Sequence, residues 1–171
     1  MKFASLGRAS RVFGLVLSLI FTAHAPVANA QDANLGAPFD GWELTFSPYS
    51  YHFNRSEEYK HVVLVGLERH YSSNWLWGGA LFSNSFGQPS GTVYFGYQWD
   101  KLFGVEPLYF KVVGGLMYGY VDEYEDKVPL NRNGFSPIIL PALGWRLTPK
   151  DALQVIVLGG NGFMFSYNRR F

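Results

Sequence analysis

The sequence contains no cysteine and few charged residues, and each shortage excludes classes of protein. Without cysteine, a disulfide framework, cysteine-ligated zinc and a thiol nucleophile are all ruled out. Charged residues make up 16% of the chain, whereas a typical soluble domain has about 25%. The formal net charge of +1 gives no basic excess of the kind that nucleic-acid-binding modules carry. A hydrophobic content of 48% excludes an intrinsically disordered chain.

Residues 1–30 have the organisation of a secretory signal peptide. Basic residues precede an apolar run over 12–23, and the small-residue triplet Ala-Asn-Ala follows at 28–30. The apolar run is shorter than the about 20 residues that a transmembrane helix needs. We therefore predict an exported protein in which residues 31–171 form a single domain.

The remainder of the chain alternates between apolar and polar residues with a period of two, and polar turns interrupt the alternation. Aromatic residues make up 18% of the chain, and it ends at Phe171. Even strand numbers and an aromatic outer face are typical of outer-membrane barrels, in which closure leaves no backbone edge unpaired. We predict an all-β fold, an eight-stranded antiparallel transmembrane β-barrel in a bacterial outer membrane. The predicted strands are 42–54, 58–71, 75–85, 92–100, 106–121, 134–147, 151–160 and 162–171. A secreted β-sandwich is the alternative, but it would not need so many outward-facing aromatic residues.

Three predicted strands are apolar on both faces in the half nearer the extracellular rim. These stretches are residues 62–65, 112–117 and 138–143. A strand that is apolar on both faces is buried on both faces, which in a barrel means lipid outside and a dry lumen inside. Because charged residues are scarce on the strands, we expect an apolar slot in the outer half of the lumen. A packed core without a ligand is the alternative.

Prolines interrupt two of the predicted strands. Pro48 lies in the first strand and switches its alternation, and Pro137 and Pro141 both lie in the sixth. Proline cannot donate a hydrogen bond to a strand ladder. We therefore predict lateral access to the lumen at these prolines, with local bending of the strands as the alternative.

Two residues at predicted strand ends have the chemistry of acyl transfer. His52 ends the first strand and Ser85 ends the third, so both belong at the extracellular rim. An imidazole can take the proton of a neighbouring hydroxyl when a third group orients the ring. Two solvated rim residues without a catalytic role are the alternative.

Four segments carry a resemblance to a known family. They are residues 48–52 (PYSYH), 82–86 (FSNSF), 94–99 (YFGYQW) and 136–141 (SPIILP). Together with the terminal Phe171, they resemble the outer-membrane lipid A palmitoyltransferase (PagP) family. The resemblance implies an enzyme that moves a palmitoyl chain from an outer-leaflet phospholipid to lipid A.

The resemblance also implies roles for individual residues. His52 would be the general base, and Ser85 would be either the hydroxyl that it activates or a polar partner at the ester. Asn84 stands where the family has aspartate, and it can orient an imidazole without stabilising its charge. Gly96 and Gln98 would line the lumen that holds the acyl chain. Because Gln98 occupies a position where the family has glycine, we expect a different acyl length or a displaced floor.

The remaining expectations concern partners. The acyl donor is a phospholipid, the acceptor is lipid A, and neither a metal, a cofactor nor nucleic acid is expected to take part. We expect a monomer. Glu57 in the first outer loop is an alternative to Asn84 as the orienting group. A lipid A deacylase and a non-enzymatic structural or adhesive barrel are the alternative functions.

Overall fold

The computed structural model describes residues 34–54 and 59–171 and closes eight strands into one antiparallel barrel. The predicted all-β fold with eight antiparallel strands in a closed barrel is confirmed. The predicted signal peptide and Glu57 lie outside the described residues. In the part that is described, no helix is long and apolar enough to cross a membrane. The strands are β1 (Gly41–His52), β2 (Leu64–His70), β3 (Trp75–Ser83), β4 (Pro89–Trp99), β5 (Leu108–Tyr118), β6 (Phe135–Arg146), β7 (Asp151–Val157) and β8 (Gly162–Arg170).

Each strand pairs with its neighbours in sequence, and β8 pairs with β1 to close the barrel. Alternate residues of a strand point to opposite faces, so the period-two pattern separates an inward set from an outward set. The outward set is strongly apolar, with Leu81, Val93, Phe95 and Ile139 between 63% and 76% exposed. This surface is consistent with an outer-membrane β-barrel.

The two ends of the barrel differ in the length of their connections. At the end that we call the loop end lie the connections 53–63, 84–88, 119–134 and 158–161. At the opposite end, the turn end, lie the connections 71–74, 100–107 and 147–150 together with the start of β1 and the end of β8. The longest connection, residues 119–134, lies at the loop end.

The largest departure from the predicted strand bounds is in β2. The pattern predicts a strand over 58–71, but β2 begins only at Leu64. The segment before Leu64 lies alongside the loop after β3, and Lys60 N–H donates to the Ser85 carbonyl at 2.7 Å. The apolar residues at 62 and 63 extend the apolar stretch of the strand but do not pair with β1. For this reason the sequence pattern predicts a strand that begins too early.

A β-bulge at Pro48 divides β1 into two parts. The pairing of β1 with β8 shifts register between Phe46 and Tyr49, which confirms the predicted switch in alternation. The pairing of β1 with β2 ends at Ser47, opposite Leu64. Above the bulge, β1 therefore remains bonded to β8 but has separated from β2.

A second gap in the wall lies between β6 and β7. Pairing between these strands runs only from Ala142–Ile156 to Arg146–Ala152. The first half of β6, residues 135–141, pairs with β5 on its other side and has no partner on β7. Pro137 and Pro141 both lie in this half, and each lacks the N–H that a ladder needs. The barrel wall consequently lacks β6–β7 strand pairing over residues 135–141 at the loop end.

The lumen has two halves of opposite character. Toward the turn end it is filled with buried polar and charged side chains that bond to one another. Glu68 accepts from Lys111 Nζ at 2.8 Å and from Tyr94 Oη at 2.9 Å, and Glu43 accepts from Arg170 Nε at 3.1 Å. The premise that charged residues are scarce on the strands is wrong for this half. The chain has few charged residues, but several occupy inward positions near the turn end of the strands.

Candidate active site

A cavity of about 580 Å³ occupies the lumen at the loop end. This volume lies within the range of small-molecule sites. Its walls are largely apolar, and its mouth is lined by His52, Asn84 and Ser85. The apolar lining includes Val62, Leu64, Phe82, Met117, Ile138, Leu140, Ile156, Leu158 and Met164. The structure thus contains the apolar slot that the two-sided apolar strands predict.

The cavity reaches the gap between β6 and β7. Pro137 and Ile139 line it from β6, and Leu158 and Gly159 line it from the end of β7. Ile139 is also 76% exposed on the outer surface. Residues on both edges of the gap therefore line the cavity.

His52 and Ser85 meet at the mouth of this cavity. The Nε2 atom of His52 lies 3.3 Å from Ser85 Oγ, within hydrogen-bonding distance. His52 is the last residue of β1, and Ser85 lies in the loop that follows β3, so strands on either side of β2 bring the two together. Ser85 is 6% exposed. The geometry suits proton transfer from the hydroxyl to the imidazole.

A second serine, which sequence reasoning missed, shares the same nitrogen. Ser50 Oγ lies 3.4 Å from His52 Nε2. The signal was present in the sequence, because residues i and i+2 of a strand point to the same face. Ser50 does not line the cavity, whereas Ser85 does. Ser85 is therefore the serine that a molecule in the cavity can reach.

Asn84 is fully buried, but its side chain does not bond to His52. Its Oδ1 accepts from the N–H groups of Phe86 and Gln88, each at 3.0 Å, and its Nδ2 donates to Gln88 Oε1 at 3.2 Å. These bonds fold the loop after β3 around the asparagine. Asn84 accordingly holds the backbone on either side of Ser85 in place.

The same loop fastens the longest connection over the cavity. Gln88 Nε2 donates to the Val121 carbonyl at 3.1 Å, and Val121 N–H donates to Gln88 Oε1 at 3.2 Å. Phe86 stacks on Tyr124 with ring centroids 4.1 Å apart. Residues 126–129 of this connection line the cavity. The connection thus covers part of the mouth.

Tyr120, just beyond the end of β5, also contacts Ser85. Burial raises the pKa of the Tyr120 phenol, and hydrogen bonds from the Ser85 side chain and backbone act in the opposite direction. Its ring packs at 6.0 Å from Phe86. Ser85 therefore contacts both the His52 imidazole and the Tyr120 phenol.

The other residues predicted for the site lie elsewhere. Gly96 and Gln98 are buried in the polar half of the lumen, and neither lines the cavity. Gln98 Nε2 donates to Asp100 Oδ1 at 2.8 Å. Of the three prolines, Pro137 lines the cavity, while Pro48 and Pro141 lie on the edges of the two gaps. Neither residue contacts the cavity, and a role for Gly96 and Gln98 in selecting the acyl chain stays a prediction.

Thr92 and Tyr94 mark the boundary between the cavity and the polar half. Thr92 is the β4 residue nearest the turn end that lines the cavity. Tyr94 is the next inward-facing residue of that strand, and its hydroxyl donates to Glu68. Tyr94 does not line the cavity, so the boundary between the apolar space and the buried charges lies between these two residues on β4.

Within residues 34–54 and 59–171, one group of side chains has the spacing of a metal site, namely Glu43, Glu68 and His70. Each carboxylate already has a cation against it, since Lys111 bonds Glu68 and Arg170 bonds Glu43. The arrangement is a compensated ion network, and a further divalent charge would have to displace these cations.

No protein-family model and no curated protein matches the chain.

Proposed function

We propose that this protein is an outer-membrane acyltransferase that moves a palmitoyl chain, or one of similar length, from an outer-leaflet phospholipid to lipid A. The observation that carries the proposal is the His52–Ser85 pair at the mouth of an apolar cavity, beside a stretch of barrel wall without strand pairing. A purely structural barrel has no need of an apolar cavity, a gap in strand pairing and an imidazole–hydroxyl pair in one place.

The orientation of the barrel supports an outer-leaflet substrate. Outer-membrane barrels have short periplasmic turns and long extracellular loops. The loop end, with the connection 119–134, then faces outward, and the cavity and its gaps lie at the depth of the outer leaflet. The acyl chain of a phospholipid could pass through the gap beside Pro137 without leaving an apolar environment.

The reaction needs one proton shuttle. As the acceptor hydroxyl attacks the donor ester, a new C–O bond forms and its proton passes to Nε2 of His52. The tetrahedral intermediate then expels the lysophospholipid oxygen, which takes the proton from the imidazolium. Ser85 either carries the acyl group between the two half-reactions, with the same proton transfers, or donates a hydrogen bond to the ester. The atoms and protons of this transfer balance without an oxidant, a metal or a cofactor.

Lipid A analysis tests the proposal directly. Mass spectrometry of lipid A from a host without this activity should show one additional acyl chain when the protein is expressed. An inserted barrel, verified by heat-modifiable migration, that leaves lipid A unchanged would contradict the proposal and favour a structural or adhesive role. Loss of an acyl chain would instead identify a lipid A deacylase. The deacylase is the second candidate because Ser50 and His52 form a serine–histidine pair on one strand.

Thr92 should set the length of the acyl chain. We expect Thr92→Phe to favour shorter chains, with the rate for the longest accepted chain reduced about 10-fold or more, because one methylene in an apolar pocket is worth about 1–3 kcal/mol. The measurement is the mass of the added chain in cells supplied with mixed phospholipids.

Val93→Phe is the matched control for the length prediction. It adds the same ring to the adjacent residue, which is 66% exposed on the outer surface. The control should leave the chain length unchanged. An unchanged length in folded Thr92→Phe would place the floor of the acyl site elsewhere.

A further inference from the structure

A glycine-containing turn lies against the candidate base. β7 ends at Val157, a short turn of 3₁₀ helix spans Gly159–Asn161, and β8 begins at Gly162 directly opposite His52. Gly159 and Gly162 have φ values of +61° and +153°. A Cβ on Gly162 would collide with the carbonyl oxygen of Tyr51. Only glycine allows the turn to approach β1 this closely.

The turn presents a backbone acceptor to the imidazole. The Asn161 carbonyl accepts from Phe53 N–H at 3.0 Å. Because the next residue, Gly162, pairs with His52, this carbonyl lies beside the His52 ring. Nε2 of His52 faces Ser85 and Ser50, so Nδ1 is the nitrogen left for the carbonyl. A carbonyl only accepts, so a ring nitrogen that bonds to it must carry the proton.

No carboxylate performs this function in the part of the chain that the structure describes. Asn84, which stands at the expected position, uses its side chain on Phe86 and Gln88. Asp126 lines the cavity but forms its ion pair with Lys127. The acceptor that the described residues place beside the imidazole is thus a neutral backbone group.

We propose that the Asn161 carbonyl, positioned by the Gly159–Gly162 turn, holds His52 in the Nδ1–H tautomer and so directs the Nε2 lone pair at Ser85. The catalytic consequence rests on the proposed function, but the tautomer itself does not. A backbone carbonyl bonded to Nδ1–H is a common way to fix a histidine tautomer. Asn161 acts here as a positioning residue through its backbone, and its side chain has no part in the arrangement.

The tautomer can be measured without any substrate. Long-range ¹H–¹⁵N correlation spectra of ¹⁵N-histidine-labelled protein in detergent micelles, above pH 8, report which ring nitrogen is protonated. The His52 signals are assigned by their loss in His52→Ala. We expect the Nδ1–H form to predominate in the wild type. A predominant Nε2–H form would overturn the proposal, whatever the outcome of the lipid A experiment.

Two glycine variants connect the tautomer to the turn. Gly162→Ala should produce a mixture of tautomers and lower acyl addition about 10²-fold, within the range for a lost general base. Gly160→Ala is the matched control, since a Cβ there meets nothing within 4 Å, and it should keep the wild-type spectrum. A folded Gly162→Ala protein with an unchanged tautomer would refute the role of the turn. If that variant does not fold, the wild-type spectrum alone shows whether His52 is in the Nδ1–H or the Nε2–H tautomer.

Glu57→Gln provides the competing test. Glu57 lies outside the described residues, and it is the other group that the sequence offers for orienting His52. We expect its substitution to leave the His52 tautomer unchanged. A shift toward the Nε2–H form in Glu57→Gln would transfer the positioning role to that carboxylate.

Discussion

Substituting His52 by alanine should reduce the addition of an acyl chain to lipid A by about 10²–10⁴-fold, the usual contribution of a general base. His52 has the only imidazole that lines the cavity in the described part of the chain. Its Nε2 lies 3.3 Å from the Ser85 hydroxyl. Without it, no imidazole of the described residues is left at the cavity to take the proton of the attacking hydroxyl. The rate is measured by mass spectrometry of lipid A at equal amounts of folded barrel.

His61→Ala is the control for this substitution. His61 lies nine residues further along the chain, is exposed and does not line the cavity. Its loss should leave the rate unchanged. If His52→Ala retains the wild-type rate while it remains folded, the cavity mouth is not the catalytic centre.

The two serines should respond differently. Ser85 lines the cavity and Ser50 does not, although both lie within 3.4 Å of His52 Nε2. We expect Ser85→Ala to lower acyl addition strongly and Ser50→Ala to have a small effect. The reverse pattern would place the reacting hydroxyl on β1 and support the deacylase alternative.

The barrel could be predicted from the sequence because its physical cause is local. Alternation of apolar and polar residues assigns each strand an outer and an inner face, and polar turns separate the strands. The bulge at Pro48 was predictable for the same reason, since the alternation itself changes phase there. The late start of β2 was not predictable, because Val62 lines the cavity without joining the ladder to β1.

The site was predictable only in part. His52 and Ser85 stand at strand ends, so the pattern placed both at the rim, and the structure puts them in hydrogen-bonding distance. The bonds of Asn84 could not be foreseen, because a buried asparagine can bond to its own loop as readily as to a neighbour. The Asn161 carbonyl carries no side-chain signal at all. Only the close approach of β8 to β1 places it beside the imidazole.

The largest effect on stability should come from the polar half of the lumen. Glu68→Gln removes the charge that faces Lys111 Nζ at 2.8 Å, and both side chains are at most 4% exposed. A buried charge left without its partner costs about 3–5 kcal/mol. We therefore expect the free energy of unfolding to fall by about that amount. The measurement is urea-induced unfolding of the protein from phospholipid vesicles.

Two further variants separate the buried charge from other causes. The double variant Glu68→Gln/Lys111→Met should recover much of the lost stability, since removing both charges of a buried pair is often close to neutral. Asp40→Asn removes the exposed carboxylate that pairs with Arg69 and should leave the free energy of unfolding nearly unchanged. A double variant as unstable as Glu68→Gln alone would mean that the hydrogen bonds of Glu68 to Tyr94 and His70 matter more than its charge. Because the cavity and His52 lie in the other half of the lumen, acyl addition per folded molecule should be the same in all three variants.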